Sequence, residues 1–128
     1  MLKQNRGSII NTASIAGLIG ATEIAAYTAS KHAVIGLTKN AALECAATGV
    51  RVNCVCPGLI DSRMLSAIIE GRNPGNTPVP NDKIVERIPA RRLGLASEVA
   101  SVVAFLASDE ASYVSGSAYT VDGGRTAA

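Results

Sequence analysis

The chain has 128 residues, a formal charge of +2 and 48% hydrophobic residues, but only 3% aromatics and no tryptophan. That is one domain's worth of chain, able to bury about two-thirds of its unfolded surface around an aliphatic, alanine-rich core. The charge is not gathered into the basic face of a nucleic-acid binder, no apolar run is long enough to span a membrane, and three cysteines (Cys45, Cys54, Cys56) make no disulfide framework.

In chain order, the opening "MLKQNRG" has no apolar region of the secretory kind, which together with the cysteine usage fits a cytoplasmic protein. "SIINTA", Ser8 to Ala13, reads as a short strand after a turn-prone "NRG", and "SIAGLIG" as a loop. A long helix is predicted from about Ala25 to Ala47, ending at Thr48-Gly49. Gly36 inside it costs about 1 kcal/mol relative to alanine, and is read as a place where another element packs closely. "VRVNCVCPG", Val50 to Gly58, alternates as a strand and stops at Pro57-Gly58. Cys54 and Cys56, two apart, share one face of that strand and are read as small buried hydrophobes rather than as a metal or redox pair.

The stretch from Leu59 to Pro89 holds four of the five prolines. It reads as an excursion with short helices at Ser62–Glu70 and Asp82–Ile88, of a length often used for binding loops. A second regular helix is predicted over Ser97–Ala107, where Val99, Val102, Val103 and Leu106 form an i, i+3, i+4, i+7 stripe. "SAYTVDGG" reads as a last strand. Strand, helix, strand, excursion, helix, strand is an α/β pattern, implying a parallel sheet with right-handed crossovers. Three strands are few for a sheet covered on both faces, so the pattern looks like the second half of a larger doubly wound sheet.

In such sheets ligands sit beyond the carboxyl ends of the strands. Ser14 ends the first strand and Pro57-Gly58 the second, while "YTASK", Tyr27 to Lys31, opens the helix between them. At i and i+4 the tyrosine and lysine share a helix face about 5–6 Å apart. A free phenol ionises near pH 10, and an ammonium beside a phenol favours the phenolate. Such a pair can exchange a proton with an alcohol or carbonyl, and a serine hydroxyl opposite can hold the substrate oxygen. Ser14 alone could equally cap a turn. Asn11 and Asn53 are expected to satisfy backbone groups, Tyr113 and Tyr119 to pack, and Asp122 to fix a turn. His32, turned about 100° from Lys31 on the helix, is expected to be structural or exposed.

These segments closely resemble the catalytic half of the classical short-chain dehydrogenase/reductase family, over nearly the whole chain. "GSIINTAS" is similar to the family strand ending in the catalytic serine, Tyr27 follows Ser14 by the family's thirteen residues, and "YTASK" matches its Tyr-x-x-x-Lys. "VRVNCVCPGLIDS" resembles the strand and Pro-Gly turn that meet the nicotinamide, and "YVSGSAYTVDGG" the closing strand. The resemblance implies a Rossmann-like sheet and an NAD- or NADP-dependent oxidoreductase interconverting a small secondary alcohol and a ketone. Tyr27 would be the acid/base, Lys31 would favour its phenolate and bind the nicotinamide ribose, and Ser14 would polarise the substrate oxygen. Pro57, Gly58 and Ile60 would border the nicotinamide. Ser62 stands at the family's usual threonine and keeps the hydroxyl that reaches the cofactor. Residues 63–89 would be the substrate loop, and pairing through the long helix would make a homo-oligomer.

Against the family's pattern, the 128 residues carry no glycine-rich phosphate loop; Gly17 and Gly20 do not form one. The residue that selects NAD over NADP and the tetrad asparagine are also missing, as is the helix-capping residue and proline that relatives place at Leu95-Ala96, where a frayed helix start is expected. Residues 1–128 are therefore read as a partial domain without its nucleotide-binding half: either part of an oxidoreductase, or a truncated, non-catalytic remnant unable to bind dinucleotide alone.

Overall fold

A computed structural model describes residues 1–71 and 81–127. Three strands, β1 (Gly7–Thr12), β2 (Val50–Pro57) and β3 (Ala118–Val121), form one parallel sheet in the order β1-β2-β3. The helices are α1 (Ala25–Cys45), α2 (Arg63–Gly71), α3 (Asn81–Val85) and α4 (Ala96–Ala107). The register pairs Ile9 with Val52 and Asn11 with Cys54, then Cys54 with Ala118. Residues 72–80, the middle of the expected substrate loop, lie outside the described residues.

The central strand explains the sheet. Val52 to Cys56 of β2 are all buried, as a parallel strand covered on both faces requires. On one face Cys54 and Cys56 pack with Ala13, Ile35 and Val34 beneath α1. On the other, Val55 joins Leu106 and Ala111, surrounded by Ile10, Val99, Val102 and Val103. The stripe read from the sequence is thus the face by which α4 grips the sheet. Removing a side chain like the fully buried Leu106 from water contributes about 2–3 kcal/mol.

The polar strand residues have structural partners. The Asn53 amide donates to the Val114 carbonyl and accepts from the Ser117 N–H, at 2.8 and 3.0 Å. Asn11 instead donates to the hydroxyl of buried Thr38 at 2.9 Å, tying β1 to α1. Arg51 donates to the carbonyls of Leu106 and Ser108, and Ser8 also donates to Leu106. A cation thus meets the carbonyl end of α4, where the helix dipole favours it. α1 runs on into a 3₁₀ turn, Ala46–Thr48, and ends at Gly49, whose φ of 66° suits glycine.

Three expectations change. A Cβ on Gly36 would meet nothing within 4 Å, so no element packs closely there. Tyr113 is fully exposed, at 103% of its reference area; Tyr119 does pack, edge-on to Phe105. The start of α4 is capped rather than frayed, because Glu98 in its first turn accepts the Leu95 N–H at 2.7 Å. Leucine has no acceptor to return the bond, so this is half of a capping box.

Candidate active site

β1 delivers the first group. Its ladder continues one residue past the strand, with the Ala13 N–H donating to Val55 at 2.8 Å. Ser14 follows in an extended conformation, and its hydroxyl accepts the Ala16 N–H at 3.2 Å, opening the 3₁₀ turn Ile15–Gly17. That turn lies directly on α1: a Cβ on Gly17 would fall 2.6 Å from the Lys31 carbonyl. Glycine at this position allows the serine turn and the lysine turn to touch.

α1 delivers the next two. Tyr27 is 40% exposed at the helix's start. The Lys31 ammonium lies 5.5 Å from the Tyr27 ring centroid and donates to the Thr12 carbonyl at 3.0 Å. Its position is thus set from two sides, by the helix face it shares with Tyr27 and by the carboxyl end of β1. His32 is exposed, its Nδ1 3.0 Å from the Thr28 carbonyl of the preceding turn.

The remaining candidates follow β2, the neighbouring strand. The Gly58 N–H donates to Val121 at 3.0 Å, and a Cβ on Gly58 would fall 2.8 Å from that of Asp122. Asp122 accepts from the N–H groups of Gly124 and Thr126 and from the Thr126 hydroxyl, so it fixes the closing turn on which Pro57-Gly58 rests. Ile60 forms an isolated parallel bridge with Gly94. Ser62 caps α2, accepting the Leu65 N–H at 3.3 Å and donating to Ile60 at 3.2 Å. The structure therefore places Ser14, Tyr27, Lys31, Pro57, Gly58, Ile60 and Ser62 at the carboxyl ends of two adjacent strands, with the Ser62 hydroxyl turned to its own helix.

Two neighbours of the site have strongly shifted titration. Burial, with the adjacent Cys54 thiol adding to it, pushes the Cys56 thiol up to about 12 against a backbone hydrogen bond from Ser14. The thiol beneath Ser14 thus stays protonated and inert. At the other side, Arg92 grips Glu98 with two hydrogen bonds of 2.9 and 2.6 Å. Those bonds first, then the Leu95 N–H, hold the Glu98 carboxyl down to about 2. The pair is therefore ionised at neutral and mildly acidic pH.

Two clefts lie elsewhere. One of about 120 Å³ sits behind Leu59 and Gly94, and one of about 450 Å³ opens at the amino ends of the strands near Arg6, Arg51 and Tyr113. Neither includes Ser14, Tyr27 or Lys31, and the larger is bordered by the exposed Arg6–Asp109 ion pair. Among the described residues no cluster could hold a metal ion, and no helix is long and apolar enough to cross a membrane.

The donor set suits the nicotinamide end of a dinucleotide: Lys31 spends one of its three N–H donors on Thr12, leaving two for the neighbouring hydroxyls of a ribose. The pyrophosphate end finds no glycine-rich loop in these 128 residues.

Comparison with known proteins identifies the family. A family model described as enoyl-(acyl carrier protein) reductase matches residues 1–126. A cyclohexanol dehydrogenase of Acinetobacter sp. (strain SE19) is 48% identical over 98% of this chain and 46% of its own length. The crystal structure of levodione reductase superposes with a TM-score of 0.95 at 40% identity, covering all of this chain and 50% of that one. That of F189W actinorhodin polyketide ketoreductase with NADPH gives 0.93 at 39% identity, covering 98% of this chain and 49% of that one. The chain spans about half the length of the relatives it matches, and its three parallel strands are the C-terminal half of their Rossmann-like sheet. By motif, fold and similarity together, the chain belongs to the short-chain dehydrogenase/reductase family of nicotinamide-dependent oxidoreductases.

Proposed function

We propose that the protein interconverts a small secondary alcohol and a ketone with NAD or NADP, Tyr27 acting as the acid/base. The observation that carries this reading is the double fixing of Lys31, bonded to the Thr12 carbonyl and held over the Tyr27 ring. In the oxidative direction Tyr27 Oη takes the proton of the substrate hydroxyl as the carbonyl forms; in reduction it returns that proton to the oxygen. Ser14 holds the same oxygen by hydrogen bonding, and Lys31 offers its two remaining N–H donors to the ribose. Pro57, Gly58 and Ile60 form the wall on the nicotinamide side, with Ser62 at its end, and residues 63–89 serve as the substrate loop. The nicotinamide, when bound, supplies the hydride acceptor or donor. The likeness to a cyclohexanol dehydrogenase and a levodione reductase supports a cyclic or small secondary alcohol as substrate.

The same reading places the protein in the cytoplasm, with three free thiols, and pairs copies through the outer face of α1. The test is Tyr27→Phe: turnover should fall about 100- to 10,000-fold while dinucleotide affinity stays within twofold of wild type, roughly the scatter of a surface change. Near-wild-type turnover would remove Tyr27 from the role. A second reading, a non-catalytic remnant, draws on the missing phosphate loop. Saturable binding of NAD(H) or NADP(H) to the 128 residues would eliminate it, and its absence would eliminate catalysis by these residues alone.

A further inference from the structure

We infer that Arg92 and Glu98 are positioning residues for the nicotinamide-side wall, holding Leu59–Ser62 in place through Gly94 without touching substrate or cofactor. The cofactor part of this inference rests on the function proposed above; the structural part does not. Beyond Pro57-Gly58 the chain leaves the sheet, and among the described residues the backbone of Leu59 and Asp61 is tied to one partner, Gly94. The Gly94 N–H donates to the Leu59 carbonyl at 3.0 Å, and the Asp61 N–H donates to the Gly94 carbonyl at 2.9 Å. The Ile60 side chain also lies close against Gly94, where a Cβ would fall 2.6 Å from its Cδ1.

What fixes Gly94 is the pair around it. Arg92 Nη1 donates to the Leu93 carbonyl at 3.1 Å and to Glu98 Oε2 at 2.9 Å, and Nη2 donates to Oε1 at 2.6 Å. Glu98 Oε2 takes the Leu95 N–H as well. The residues on both sides of Gly94 are therefore held by the two members of one ion pair, Leu93 by the Arg92 guanidinium and Leu95 by the Glu98 carboxylate. That carboxylate stands on the first turn of α4, whose Val99, Val102, Val103 and Leu106 are packed on the sheet. A continuous mechanical path runs from the core through Glu98 and Gly94 to Leu59–Asp61, and from there to the Ser62 cap of α2.

Packing cannot replace this path. Behind the bridge lies the cleft of about 120 Å³, bordered by Leu59, Ile88, Gly94 and Asp122 as well as by the pair itself. Among the described residues no side chain fills it, so apart from the Ile60 side chain against Gly94 the wall is located by hydrogen bonds. An exposed ion pair is ordinarily worth little, with bidentate arginine–carboxylate geometry as the exception. Here its effect is on position.

The test compares amide hydrogen exchange in the wild-type protein, Glu98→Gln, Glu98→Ala and Arg92→Lys, with Asp109→Asn as the control that breaks the other ion pair. Exchange at the Asp61 and Gly94 amides should accelerate about tenfold in Glu98→Ala, less in Glu98→Gln, and return toward wild type in Arg92→Lys, which keeps the charge. The Cys54 and Gly116 amides of the sheet should not change, nor should any of the four in Asp109→Asn. Unchanged exchange at Asp61 and Gly94 overturns the inference, as does uniform acceleration across all four amides, the mark of a merely structural role. If Glu98→Ala does not fold, Glu98→Gln decides. In the second arm, the dissociation constant for NAD(H) or NADP(H) should rise about five- to tenfold in Glu98→Gln with the pH profile of turnover unmoved. An unchanged constant beside accelerated exchange overturns the cofactor part. Absence of dinucleotide binding in the wild type eliminates catalysis by these 128 residues alone and leaves the exchange result to judge the clamp.

Discussion

The two long helices lie on opposite faces of the same sheet and are attached to it by different means. α4 presents one aliphatic stripe, buries Leu106 completely and closes its cluster with the Phe105–Tyr119 edge contact. α1 is nearly twice as long, yet only Ile35, Thr38 and Ala42 of its residues are buried, while Leu37 and Leu43 stand 65% and 78% exposed. Beneath it the sheet offers small side chains, Ala13, Cys54 and Cys56, and the Asn11–Thr38 hydrogen bond. α4 is held by volume; α1 is held by close approach and by particular hydrogen bonds. A helix held in the second way has fewer means of shifting along its axis, which suits the one that carries Tyr27 and Lys31.

The contrast is broken most directly on the α4 side. Leu106→Ala should destabilise the protein by about 2–5 kcal/mol, since it leaves a cavity at the centre of the cluster, as read by urea unfolding. Below its unfolding transition the variant should keep wild-type dinucleotide affinity, because the Leu106 carbonyl is bonded at the amino ends of β1 and β2, away from the carboxyl ends that carry the candidate site. A loss under 1 kcal/mol would mean that α4 is not anchored by its stripe.

On the α1 side the corresponding change is an addition. Gly17→Ala puts a methyl group 2.6 Å from the Lys31 carbonyl and 2.8 Å from the Ile35 Cδ1. The isoleucine tip can give way but the helix backbone cannot, so the serine turn must lift. The expected loss is about 1–3 kcal/mol, and turnover should fall with it because Ser14 moves relative to Lys31. Wild-type stability in Gly17→Ala would show that the turn and helix do not meet as described.

The difference between the helices also decides what could be read from the sequence. The α4 stripe is a periodicity, and periodicity is local, so it was legible, as was the alternation of β2. The i, i+4 pair Tyr27 and Lys31 is local too, and the interval to Ser14 came with the family resemblance. What locates Lys31, however, is the Thr12 backbone carbonyl, and a carbonyl has no residue signature. Asn53 and Arg51 were recognisable as polar strand residues, but their partners, Val114, Ser117, Leu106 and Ser108, lie far along the chain. The expected fraying at Leu95 failed because only the cap position was considered. A glutamate three residues on, at Glu98, is itself a helix-start signal, and it acts here with Arg92. Tyr113 misled as a large apolar ring in a chain short of them; the turn that carries it simply leaves it outside.

The mildest substitution is the most discriminating for α1. Gly36 lies mid-helix on the exposed face, and a Cβ there would meet nothing within 4 Å. Alanine is the better helix former by about 1 kcal/mol, partly because it removes conformational freedom from the unfolded chain. Gly36→Ala should therefore stabilise the protein by about 0.5–1 kcal/mol, measured by thermal or urea unfolding at low concentration. The homo-oligomer proposed above makes the opposite demand, since a copy seated flush on the Ala33, Gly36 and Leu37 surface would leave no room for the methyl group. A gain at low concentration that vanishes or reverses as the protein is concentrated would place the partner on this face. A gain independent of concentration would leave α1's outer surface free and move any pairing elsewhere. A loss at every concentration would show the glycine serving the folded chain itself, contrary to the open space beside it.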